Sequence, residues 1–81
     1  MEERSVGKEV GRRAADGAPR LTPRQREVLR LIVDGLSAPS IARRLGISVH
    51  TVRNHIQLIY KSLRVSNRAE AVSKVLSKHL L

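Results

Sequence analysis

The stretch Ser48-Val49-His50-Thr51-Val52-Arg53-Asn54-His55-Ile56-Gln57-Leu58-Ile59-Tyr60-Lys61-Ser62-Leu63 carries two faces of opposite chemistry when wound as an α-helix. At about 100° per residue, Val49, Val52, Ile56, Ile59 and Leu63 share one face. His50, Arg53, Asn54, Gln57 and Lys61 share the other. The apolar stripe is what any packed helix needs. The polar stripe is more selective, because it holds cations and amides and no acid. Arg, Asn and Gln present planar donor and acceptor forks that match the edges of guanine and adenine in a major groove. Ser48 is a good N-cap, and Gly46 and Ile47 before it make a short turn. The helix reads as the one that touches nucleic acid.

Upstream, two more helices follow from local punctuation. Thr22 caps the first, Pro23 occupies its first position, and Gln25 completes a Thr-x-x-Gln capping box. Val28, Leu29, Ile32 and Val33 form its buried face, and Asp34-Gly35 ends it with Leu36 as the hydrophobic contact of the cap. Ser37 caps a second, short helix in which Pro39 is tolerated because it lies in the first turn. Ile41, Ala42 and Leu45 face its core, and Gly46 stops it. Two helices joined by so short a Gly-containing turn form a helix-turn-helix, and the small Ala42 lets them cross closely.

Downstream, Ser66-Asn67 caps a fourth helix with two adjacent apolar stripes. One runs through Val72, Leu76 and Leu80, and the other through Ala71 and Val75 towards Lys78. That width exceeds a single core contact, so a partner helix is expected on Ala71, Val75 and Lys78. Residues 1–20 mix charges with Gly7, Gly11, Gly17 and Pro19 and read as a flexible tail or linker. The folded domain is expected over residues 21–81, as an all-α, four-helix unit.

Composition narrows the function classes. The 81 residues carry a net charge of +9. Residues 1–20 hold five cations and four acids, whereas residues 21–81 hold eleven cations and only Glu27, Asp34 and Glu70 as acids. A cationic excess concentrated in the folded part is the footprint of a polyanion binder. With no Cys, there is neither a disulfide framework nor a Cys-based zinc site. His50 and His55 lie five residues apart on different faces, which argues against a metal pair. No apolar run reaches membrane-spanning length. Tyr60 is the only aromatic residue, too few for a single-strand stacking platform. No nucleophile, paired carboxylates or phosphate loop points to catalysis. The expectation is a cytoplasmic, non-enzymatic protein with no metal, cofactor or small-molecule ligand of its own.

The residues Leu21-Thr22-x-Arg24-x-x-Glu27-Val28-Leu29, Gly35-x-Ser37, Ile41-Ala42-x-x-Leu45, Ile47-Ser48, Thr51-Val52-Arg53-Asn54-His55, Ile59-Tyr60, Leu63-x-Val65 and Arg68-x-Glu70-Ala71-Val72 together resemble the LuxR-type (GerE/FixJ/NarL) helix-turn-helix domain of bacterial transcription regulators. The resemblance covers the last three quarters of the chain. It implies a third helix in the major groove of double-stranded DNA and a homodimer contact through the fourth. By position it assigns base contacts to Arg53, Asn54 and Gln57, with His50 and Lys61 assisting, and a backbone contact to Thr51. Charge adds Arg24, Arg43, Arg44 and Arg64, beside Lys61, as phosphate contacts. Three places depart from the family pattern. Ala38-Pro39-Ser40 replaces a frequent Asn-Lys-Glu, Gln25 a frequent Glu, and Ser62 a usual Lys.

Some single residues have bland readings. His55, at the edge of the buried face, reads as a packed histidine, and Tyr60 as packing. Leu58 projects between groove face and core, where it either meets a thymine methyl or stands as an ordinary exposed leucine. Arg68 is either solvated or bridged to Glu27. Two rival functions share the basic helices: the promoter-reading region of a sigma factor, and a helical module that binds an acidic protein. No receiver or ligand-sensing domain lies in these residues. The chain is therefore read as a response-regulator output domain, or as a short regulator controlled by its abundance or by a partner.

Overall fold

In the computed structural model, which describes residues 20–81, Thr22 and Gln25 close a reciprocal pair of hydrogen bonds. The Gln25 N–H donates to Thr22 Oγ1 and the Thr22 N–H to Gln25 Oε1, both at 3.0 Å. They open α1 (Pro23–Val33), which is followed by α2 (Ala38–Leu45), α3 (Val49–Leu63) and α4 (Arg68–Lys78). Among the described residues there is no strand, and the fold is all-α. Ser37, Ser48 and Asn67 cap the later three helices, each side-chain oxygen accepting from the amide three residues on. A cap of this kind is typically worth about 1 kcal/mol, a large share for helices of 8 to 15 residues.

The helix ends follow the same local logic. Gly35 takes a positive φ of 95°, and the Leu36 and Gly35 amides donate back to Leu31 O and Ile32 O. This double closure satisfies two orphan carbonyls of α1. Gly46 (φ 69°) closes α2 in the left-handed region, with the Ile47 N–H on Ala42 O. At the end of α3 the left-handed position belongs to Arg64, at φ 60°, with Val65 N–H on Tyr60 O. A non-glycine residue there is uncommon and unfavourable by roughly 1–2 kcal/mol.

The core forms where α1 and α3 meet. Each of these two touches all the other helices, while α2 and α4 lie on separate flanks and do not meet each other. Val28, Leu29 and Ile32 of α1, Ile41 of α2, and Val52, Ile59 and Leu63 of α3 are fully buried. At about 1.5–3 kcal/mol per buried aliphatic side chain, these seven provide the main drive to fold. Val33, expected inside, is only half-buried, whereas Leu31 is buried. The chain turns back at Gly35, and the Leu36 N–H closes on Leu31 O.

The fourth helix corrects an expectation. Ala71 and Val75, assigned to a partner, are 0% and 4% exposed within the single chain. They are core residues. The stripe through Val72 and Leu76 is the outer one, with Leu76 62% exposed. Two long side chains orient the helix. Arg68 Nη2 donates to Ile32 O (3.1 Å) and to Leu36 O, and Lys74 Nζ donates to Leu63 O at 2.7 Å. These bonds hold α4 to the C-terminal ends of α1 and α3 and turn the Ala71–Val75 stripe inward. Lys78 remains exposed near the end of the helix.

Candidate nucleic-acid interface

The turn before α3 determines what the helix displays. Gly46 reverses the chain, Ile47 tucks a half-buried side chain against the core, and Ser48 starts α3 at once. With Val52, Ile59 and Leu63 committed to the interior, helical periodicity leaves His50, Arg53, Asn54, Gln57 and Lys61 outward, and all five are exposed. Among the described residues, none of these five makes a side-chain hydrogen bond or ion pair. The face carries donors and acceptors, forked at Arg53, Asn54 and Gln57, that no bond among the described residues uses. That is the arrangement direct base reading requires.

The residues assigned to the DNA backbone are exposed or half-buried. Thr51 is half-buried in the first turn of α3, and its Oγ1 accepts from the Ser48 hydroxyl at 2.9 Å. Its own hydroxyl proton is therefore available to an outside acceptor such as a phosphate oxygen. Arg43 donates to Ser40 Oγ (3.2 Å), and Arg44 is exposed beside it in the last turn of α2. Arg24 pairs with Glu27 at 3.3 Å, an exposed i,i+3 contact weak enough to yield to a phosphate. Arg64 extends from the left-handed position that ends α3. The structure thus brings the residues assigned to bases onto one helix face and leaves those assigned to phosphates exposed or partly exposed. It removes Ala71 and Val75 from any outer surface.

Sequence reasoning missed the roles of Arg68 and Lys74. Arg68 does not bridge to Glu27, which is occupied by Arg24. For Lys74 the signal is an accounting one: the Leu63 carbonyl at the end of α3 needs a partner, and a cation on the following helix is suited to supply it. The Ile32 carbonyl already accepts from the Gly35 N–H, so no such accounting finds Arg68. Glu70 likewise has a local task, accepting from the Ser66 N–H at 2.8 Å at the start of α4. Each of these charges is partly spent on holding the fold.

The model of the bacterial regulatory proteins of the luxR family matches residues 19–75, well over half of the chain. The chain belongs to the luxR family. A probable transcriptional regulatory protein NarL of Mycobacterium tuberculosis is 45% identical over 73 residues, covering 90% of this chain and 34% of that protein. The transcriptional regulatory protein DesR of Bacillus subtilis is 46% identical over 54 residues, 67% of this chain and 27% of that protein. Among solved structures, the transcription factor GerE superposes with a TM-score of 0.67 at 41% identity, covering 75% of this chain and 91% of that one. The response regulator ChrA of a heme-sensing two-component system superposes at 0.73 with 30% identity, over 100% of this chain and 40% of that one. The chain spans about a third of the length of these curated relatives. The luxR family is one of DNA-binding transcription regulators rather than enzymes, and residues 20–81 have its helix-turn-helix fold. No helix among the described residues is long and apolar enough to cross a membrane, and none of their His, Asp and Glu residues cluster as metal ligands.

Proposed function

We propose that this chain is the output domain of a transcription regulator, and that it reads a specific double-stranded DNA sequence as a homodimer in the cytoplasm. Residues 21–81 form the DNA-binding unit, preceded by a tail or linker whose residues before Arg20 lie outside the described structure. In this reading α3 enters the major groove, and His50, Arg53, Asn54 and Gln57 meet base edges. Thr51, Lys61, Arg24, Arg43, Arg44 and Arg64 meet phosphates. The observation that carries the reading is the outward face of α3: exposed, free of acid and unpartnered within the described residues. Base contacts supply sequence preference there, and the flanking cations supply affinity that falls with salt.

The dimer contact is assigned to the outer stripe of α4, centred on Leu76 with the half-buried Val72 beside it and Lys78 at the margin. This replaces the Ala71–Val75 stripe that the core consumes. Two domains related by a two-fold axis would present two α3 helices to half-sites whose spacing is fixed by the α4 contact.

The test is a selection from random duplexes with the 81-residue chain. The winner and a scrambled control are then titrated at several salt concentrations. An enriched inverted repeat, bound well above the control at matched salt, is the expected result. A basic helical module that binds an acidic protein predicts the opposite: no enrichment, and an equally steep salt dependence on every duplex.

A further inference from the structure

Leu58 is the one large apolar side chain of α3 that the core does not use. It is 51% exposed and stands outside the set of partly buried hydrophobic residues packed against the core. Every other aliphatic residue of that helix is buried or half-buried. Its position on the helix is specific. Leu58 lies four residues after Asn54, one turn further along the same side, and about 20° from Thr51 around the axis. It therefore borders the base-facing row on the side where Thr51 opens the helix.

We infer that Leu58 is a specificity-determining residue that reads the C5-methyl group of a thymine next to the base contacted by Asn54. The inference rests on the proposed entry of α3 into the major groove. Leucine has no donor or acceptor, so it gains nothing from the oxygen and nitrogen edges that Arg53, Asn54 and Gln57 are built to meet. The one apolar feature on the floor of that groove is the thymine methyl. Burying it against the Leu58 side chain removes apolar surface from water on both partners. A cytosine at the same position carries only hydrogen at C5, and its amino group stands where thymine has O4, so the methyl contact is lost and no other contact with the leucine replaces it. Leu58 thus favours dT over dC through the methyl contact. A polar residue in its place would not make that contact.

The test uses the duplex recovered from the random-sequence selection with the 81-residue chain. Each dT of a half-site is replaced in turn by dU, which deletes only the methyl group. With the unsubstituted protein, one such replacement should weaken binding roughly fourfold beyond any non-specific loss, the scale of one buried methyl. In Leu58→Ala that same position should bind dT and dU alike, while penalties at other positions persist. Leu58→Met, which keeps an apolar tip, should retain the dU penalty. Circular dichroism checks that each variant keeps the helical content of the parent. If no dU replacement matters, or if Leu58→Ala keeps the penalty unchanged, Leu58 reads no methyl and the inference is overturned while DNA reading stands. If the selection enriches no duplex, the DNA reading itself fails and this inference goes with it.

Discussion

Arg53 and Arg44 are both exposed guanidiniums, yet they differ in what the fold places beside them. Arg53 sits in the outward row of α3 with Asn54 and Gln57, while Arg44 lies in the last turn of α2. Arg53→Ala is expected to cost roughly 1–3 kcal/mol in binding and to relax preference at one base pair, as loss of a bidentate guanine contact would. Arg44→Ala should weaken all duplexes alike and flatten the slope of log affinity against log salt by about one unit. Titrating both variants on the selected site and on single-base variants separates them, and identical profiles would mean the reading face is misplaced. Arg64 brings a different tension, because its left-handed φ of 60° is one that glycine occupies without strain. Arg64→Gly should therefore raise stability by about 1 kcal/mol in urea melts. The same change should lower affinity for every duplex equally. A variant that is stabilised and binds undiminished would remove Arg64 from the phosphate contacts.

At the level of elements, what could be read from sequence was whatever is decided within a turn of the chain. Thr22 with Gln25, Ser37, Ser48 and Asn67 each fix a helix start through a neighbour three residues away, and Gly35 and Gly46 fix helix ends by their own φ. The outward row of α3 was legible for the same reason, since periodicity alone separates it from Val52, Ile59 and Leu63. The orientation of α4 was not. Its two apolar stripes are adjacent, and the one with the larger side chains, Val72 and Leu76, is the one left outside, so hydrophobicity points the wrong way. The inward stripe is accompanied by bonds that span 36 residues (Arg68 to Ile32 O) and 11 residues (Lys74 to Leu63 O). No local pattern encodes such partners. Arg68→Ala would take a donor from Leu36 O, in the turn after α1, and from Ile32 O, which keeps the Gly35 N–H, and should destabilise the fold by about 1–3 kcal/mol. Arg68→Lys, which keeps the charge but not the fork, should recover part of the loss. Thermal or urea unfolding measures both, and an Arg68→Ala melt within a few tenths of a kcal/mol of the parent would show that α4 is held by its apolar stripe alone.

For the whole molecule, the separation of α2 from α4 has a functional consequence. Because these helices do not meet, in the proposed assembly α4 would bind a second copy without covering α2 and its Arg43 and Arg44. A dimer built on Leu76 would bury that leucine from both protomers at one isologous contact. Leu76→Gln removes the apolar contact without changing charge and, at 62% exposure, leaves the monomer core intact. Losing two such contacts should weaken dimerisation by roughly 3 kcal/mol, about a hundredfold, readable by sedimentation equilibrium. The salt dependence of DNA binding offers an independent readout, since its slope counts the phosphates neutralised per bound particle. A dimer on an inverted repeat should show about twice the slope of a single domain on one half-site. In Leu76→Gln the slope on the full repeat should fall to the half-site value at low protein concentration, and half-site affinity should not change. A variant that keeps the doubled slope and the parental dimer constant would place the partner contact elsewhere than on α4.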